Sequence, residues 1–315
     1  MAENATHHPI SSFFLVGIPG LQEFHSWIGI PVCLLLALTL LGNTMIITTV
    51  TLEPSLHQPM YFFLCMLAMN DMGLVISPAL KMLAIFWFDA HWIDFDVCLM
   101  QMYFIHTLCI IESSILVAMA FDRYVAICIP LQYTTILTTS MVIKIGLVGL
   151  ARATVMVLPC PLLIKRLPYC LKYVIDHAYC EHMAVVKLAS ANTHVNRVYG
   201  MFVALSVMTL DIGLIATSYV KILQAVFRLS SQNSRSKALG TCVAHVCTIL
   251  VFYTPPLFSF LTHRIGKNVS PSVHIIFASV YLLVPPTVNP IVYGVKTKQI
   301  RDRVVGFFFL SKNTL

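Results

Sequence analysis

Charge is what this sequence has least of. Only 10% of its 315 residues are Asp, Glu, Lys or Arg, against about 25% in soluble domains, and mean hydropathy is +0.84. A chain so poor in charge is built to be solvated by lipid, so its net charge of +7 is no argument for nucleic acid, and no such partner is expected. Paired CxxC cysteines are missing as well: ten cysteines are scattered, with no Cys/His spacing suited to zinc. Cys33, Cys65 and Cys247 lie inside apolar runs and read as small buried hydrophobes. Residues 1–26 lack a basic start followed by an apolar core, so no cleavable signal peptide is expected and the first span must target the chain. The apolar runs show no two-fold repeat of the kind found in transporters. His91, His106 and His245 are too scattered to supply the base and nucleophile of an enzyme, and no enzymatic activity is expected.

Long apolar runs are what the chain does have. A spanning helix needs about 20 mostly apolar residues, and seven runs qualify: 27–51, 59–87, 96–129, 140–164, 196–229, 237–262 and 272–294. The predicted fold is an all-α membrane protein, a seven-transmembrane helix bundle over 27–294. A tail, 1–26, precedes it. The segment 295–315 follows, and its KTKQIRDRVVGFFFL stretch alternates bases with an apolar stripe and suits a short amphipathic helix lying on the membrane. Lys221, Arg228, Arg235 and Lys237 flank the fifth-to-sixth connection, and Lys296, Lys298, Arg301 and Arg303 follow the last span. Positive charge marks the cytoplasmic side, so the C-terminus is expected inside and the N-terminus outside a multi-pass plasma-membrane protein. Asn4-Ala5-Thr6 is a glycosylation sequon on that outer tail.

The third run ends MAFDRYVAIC, residues 119–128, placing an acid, a base and a phenol side by side after a membrane-grade segment. From Cys98 to Arg123 the rise is about 37 Å at about 1.5 Å per residue, so one lies at each membrane surface. Cys98 can then pair with a cysteine of the long fourth-to-fifth connection. LHQPMYFFL at 56–64, KALGTCVAH at 237–245 and PPTVNPIVYG at 285–294 also sit at the inner ends of their spans. With MAFDRY, these stretches resemble the motif set of rhodopsin-like G-protein-coupled receptors in the odorant-receptor branch. HRIG at 263–266, KTKQIR at 296–301 and EHMAVVKLA at 181–189 resemble its class I, fish-like members.

The resemblance implies a small-molecule odorant as ligand and a stimulatory heterotrimeric G protein as partner, with cAMP as the output. It implies that Arg123 is a switch residue held at rest by Asp122 beside Tyr124, with Tyr219 and Tyr293 supporting the active form. It also implies a Cys98–Cys180 disulfide. Here the sequence departs from its relatives: position 190, in KLAS, is serine where they carry a second loop cysteine, so Cys170 lacks its usual partner.

Asp71 and Glu112 fall near the middles of the second and third spans, where a carboxylate must be paired, hydrated or protonated. Asn43 and Asn289 resemble the family's polar residues that complete this network. Two readings stand: a sodium ion held by the two acids, since hard cations prefer oxygen, or a protonated, water-bridged network that fixes packing. No cofactor is required beyond that ion. Asp211 in the fifth span is a third buried acid without an evident role.

For the ligand, Tyr253, Leu257, Phe260 and Arg264 recur on one side of the sixth span. His106, Ile110 and Ser113 form a stripe on the third, and Gly200, Val203 and Val207 face them from the fifth. His182 and Met183 of the loop lie over this apolar pocket, which suits a small organic molecule. Arg264 can receive a carboxylic acid in a two-pronged pair or snorkel to headgroups, and His106 can serve ligand or packing.

Overall fold

The computed structural model describes residues 11–170, 172–265, 271–297 and 299–303, without the side chains of 258–265, 271 and 296. Seven helices long and apolar enough to cross a membrane run through them. They are α1 (His25–Leu52), α2 (Pro59–Phe88), α3 (Phe95–Cys128), α4 (Thr139–Val157, carried on by Pro159–Lys165), α5 (His194–Phe227), α6 (Gln232–Ile265) and α7 (Pro271–Lys296). Their ends follow local chemistry. Pro59 opens α2 at a position that needs no amide donor. Asp89, at φ 55°, closes it in the left-handed region. The Thr138 side chain caps α4 by accepting from the Met141 amide. Pro31, Pro78, Pro255, Pro256 and Pro290 sit inside helices and remove backbone bonds that would otherwise keep them straight.

α3 is the central helix, packed on α2, α4, α5 and α6. Glu112, Asp122, Ser113 and Gln101 are all buried along it, so its interior face carries a polar spine. α1 and α5 turn most of their apolar surface outward. Trp27, Leu41 and Phe202 are each more than 60% exposed, which is tolerable only against lipid.

The 1–26 segment, expected as a tail, is structured from residue 12 onward. Ser12–Leu15 forms strand β1, which pairs antiparallel with β2 (Trp92–Asp94) and parallel with β3 (Val174–Ile175). Phe13 and Leu15 are fully buried in the cluster that holds Cys98, Ile175 and Cys180. A 3-10 turn, Gln22–Phe24, then leads into α1, so helical structure starts ahead of residue 27. At the opposite end, helix resumes over 299–303. Ile300 is buried, Tyr61 donates to the Gln299 side chain, and Arg303 meets Glu53 at 3.1 Å. Asn4 lies outside the described residues.

Candidate functional site

The end of the bundle that carries β1 is closed by the fourth-to-fifth connection, tied to α3 through the Cys98–Cys180 disulfide. The amide of Cys180 donates to the Gln101 side chain at 2.9 Å, and Glu181 then caps the short helix His182–Val186 by accepting from Ala184 at 2.7 Å. This lid covers a cavity of about 740 Å³, a size that suits a small organic ligand.

Of the residues singled out for ligand contact, His106 and Ile110 line the cavity from α3, Gly200, Val203 and Val207 from α5, Tyr253 from α6, and His182 and Met183 from the lid. Gly200 is needed for approach: a Cβ there would lie 2.8 Å from the His182 ring. His106 and His182 stand edge to face with centroids 6.4 Å apart. Leu257 is not a wall residue; it is 39% exposed, and Phe252 and Pro256 take its place. The lining face of α6 is thus rotated from the one expected, toward residues one and three positions from Tyr253, in the turn that Pro255 and Pro256 interrupt. The side chains of Phe260 and Arg264 lie outside those described.

Arg197 of α5 also lines the cavity, as does Glu181 of the lid; neither was selected from the sequence. Burial pushes the Glu181 carboxyl up, but His177, the Met183 and Ala184 amides and His106 outweigh it and hold the group below its ordinary value. Burial lowers His182, which Glu181 partly offsets. Burial lowers His177 to about 4, and its ring packs on Tyr179 with centroids 4.4 Å apart. The signs agree. A depressed acid stabilises the fold above its unfolded value, and a buried neutral histidine loses stability as the unfolded form protonates. The lid should therefore weaken as pH falls from about 6.5 to about 4, by up to about 3 kcal/mol for His177. The thermal midpoint of the purified protein should fall across that window, and His177→Gln should flatten the dependence. An equally steep profile in the variant assigns it elsewhere.

The cavity floor is polar. The Ser113 hydroxyl donates to Asp211 and lies 2.7 Å from the Tyr253 hydroxyl. Asp211 is also gripped by Arg152 of α4, with guanidinium nitrogens 2.8 and 2.9 Å from its two oxygens. Asp211 is wholly buried and the Arg152 side chain 23% exposed, so an ion pair with one charge-assisted hydrogen bond lies within the membrane-spanning region. It supplies the partner that Asp211 lacked in sequence. A lone arginine inside the fourth apolar run is the signal that could have exposed it.

Deeper in the bundle, Asn43 donates to the Thr39 and Pro286 carbonyls at 3.0 Å, and Asn289 donates to Asp71 at 3.0 Å. The other Asp71 oxygen, both Glu112 oxygens and the Asn289 carbonyl are buried without a partner. Among the described residues no three His, Cys, Asp or Glu side chains group so as to hold a metal, yet unpaired oxygens of two acids and an amide fit a hard monovalent cation. At the far end of α3, Arg123 reaches Asp122 at 2.6 Å and rests against the Met60 sulfur. Tyr133 donates to the second Asp122 oxygen at 2.7 Å. Tyr124 packs against the Ile222, Val226 and Cys242 cluster. Tyr219 meets His245 at 2.9 Å, and Tyr293 is fully buried with its hydroxyl 3.9 Å from the Met119 sulfur. Cys170 is free and half-buried; Ser190 bonds the Pro168 carbonyl through its amide instead.

Seven membrane-length helices, a lidded cavity at one end and an acid–base clasp at the other define a seven-helix membrane receptor. The chain belongs to the olfactory receptor family, whose family model, described as Olfactory receptor, matches residues 32–311. It is 55% identical to Olfactory receptor 52P1 of Homo sapiens over 97% of this chain and 95% of that protein. It is 52% identical to Olfactory receptor 52K2 of Homo sapiens over 98% of both chains, and 49% identical to Olfactory receptor 51E2 of Mus musculus over 98% and 95%. The class I resemblance stands with these relatives. As a member the chain is a multi-pass, G-protein-coupled odorant receptor and not an enzyme, with a small-molecule ligand and a G protein as partners.

Proposed function

We propose that the lidded cavity binds a small carboxylic acid and that the receptor, placed in the plasma membrane with its N-terminus outside and C-terminus inside, activates a stimulatory G protein to raise cAMP. The observation that carries the acid reading is the guanidinium that Arg197 brings to a mostly apolar chamber with a polar floor. Glu181 repels an anion from the lid, while Arg197 offers a guanidinium on the α5 wall. Arg264, about three turns beyond Tyr253 on α6, is the second candidate anchor. His106 on α3 and His182 on the lid add ring donors.

The test is cAMP accumulation in cells given matched short-chain acids and their neutral alcohols and esters. A charge-assisted pair is worth about 1.5–3 kcal/mol, so Arg197→Ala or Arg264→Ala should raise the half-maximal acid concentration about tenfold or more. Responses to neutral odorants should persist. Equal loss for both ligand classes makes the arginines structural.

In the same reading, Asp71, Glu112 and Asn289 would hold a sodium ion that favours the resting form, because their unpaired oxygens are otherwise left buried. Sodium, compared with a large organic cation at equal ionic strength, should raise the thermal midpoint of the receptor and not that of Asp71→Asn. Indifference of the unmodified receptor to sodium leaves the protonated network as the account.

A further inference from the structure

We propose that a second cavity, between α2, α3 and α4, binds a neutral, lipid-dissolved molecule carrying one hydrogen-bonding group on an aliphatic body. The cavity measures about 490 Å³ and shares no lining residue with the lidded one; it lies across α3 from it. Its walls are apolar, and no lining residue is charged. The glycines of α4 keep the wall thin: a Cβ at Gly146 would stand 3.1 Å from the Met66 terminal carbon, and one at Gly149 would stand 3.1 Å from the Ser114 Cβ.

Glycines alone would only mark close packing. The observation that points to a ligand is Asn70, which lines this cavity, is 5% exposed, and has neither amide atom hydrogen-bonded. An amide buried in a membrane bundle with no partner is costly, and the cost is relieved by any molecule that brings a hydroxyl, carbonyl or amide to it. The other polar wall group, Ser114, is already engaged: its hydroxyl donates to the Ile110 carbonyl at 2.9 Å and accepts from Arg152 at 3.3 Å. The site therefore asks for one polar group and no more. With no charged wall residue, an ion would be desolvated without compensation, so the occupant is neutral. Met69, Ile143 and Leu147 at the mouth are each more than half exposed, which in this bundle means open to lipid. The ligand enters from the bilayer. One wall group, Ser114, accepts from Arg152, so occupancy reaches the polar network of Arg152 and Asp211.

The test uses the full-length receptor in phospholipid nanodiscs and a dodecanol that carries a diazirine on its chain. Photolabelling followed by peptide mapping should place the label on peptides spanning Met66–Asn70 and Leu147–Leu150, and excess 1-dodecanol should suppress it. The same chain without its hydroxyl should label about fivefold less, the worth of one hydrogen bond. Asn70→Leu should bring the alcohol down to the hydrocarbon level. Leu147→Trp, at the lipid-facing mouth where folding is not at stake, should block both probes. The proposal fails if alcohol and hydrocarbon label equally and without competition, which is bulk lipid contact. It fails equally if Asn70→Leu labels as strongly as the unmodified receptor, or if the label maps to the lidded cavity.

Discussion

Asp211→Ala is expected to remove most of the receptor from the cell surface. The substitution leaves Arg152 inside the bundle with only Ser114 as an acceptor. Breaking one side of a buried pair costs about 3–5 kcal/mol, a large part of a typical stability of about 5–15 kcal/mol. Replacing both charges, Arg152→Met with Asp211→Leu, should recover surface expression, because two apolar side chains of similar volume need no counter-charge. The doubly substituted receptor should still respond poorly to odorant. Ser113 donates to Asp211 and meets Tyr253, and both line the cavity, so the acceptor that orients the floor is gone. Surface labelling separates the two effects. Normal surface levels of Asp211→Ala would show that the ion pair bears no structural weight.

Arg123→Ala is expected to reduce odorant-dependent cAMP to the level of cells without receptor, and Asp122→Asn to raise the unstimulated signal. Asp122 holds Arg123 through two contacts, at 2.6 and 3.1 Å, and its remaining oxygen is taken by Tyr133. Neutralising the acid removes the strongest attraction that keeps the guanidinium folded back on its own helix. A ligand can move such an element only through a difference in affinity for its two forms, so weakening the clasp should shift the balance without any odorant. An unchanged basal signal in Asp122→Asn, at equal surface level, would assign the resting restraint to Met60 and its surroundings instead.

The spans were legible because hydropathy over some 20 residues is a bulk property that no tertiary detail can reverse. Where the boundaries moved, water was the cause. α6 begins at Gln232 rather than 237 because its first turns, QNSRS, project as a polar helix that hydropathy does not register. The cavity was legible where one helix face was apolar and regular, as for Ile110, Val203 and Val207. It was misplaced at Leu257, because the lining arc of α6 runs through 252, 253 and 256, on the other side of Tyr253 from 257. The Arg152–Asp211 pair shows a different limit. Each residue is visible as a charge in an apolar run, but which distant charge it meets depends on how α4 and α5 pack. Strand β1 shows the same limit, since SFFL becomes a strand only when two loops offer it edges.

Strand β1 has a consequence for how the receptor is made. Phe14 takes Trp92 on one side and Val174 on the other, so an element translated ahead of all seven spans cannot settle until the ribosome has passed residue 175. Throughout that interval two aromatic rings and a leucine stay uncovered, available to chaperones and to quality control. Closure of the fourth-to-fifth connection should therefore set when this strand can pair, and a truncated or slowly translocated product would reach quality control with the strand still uncovered.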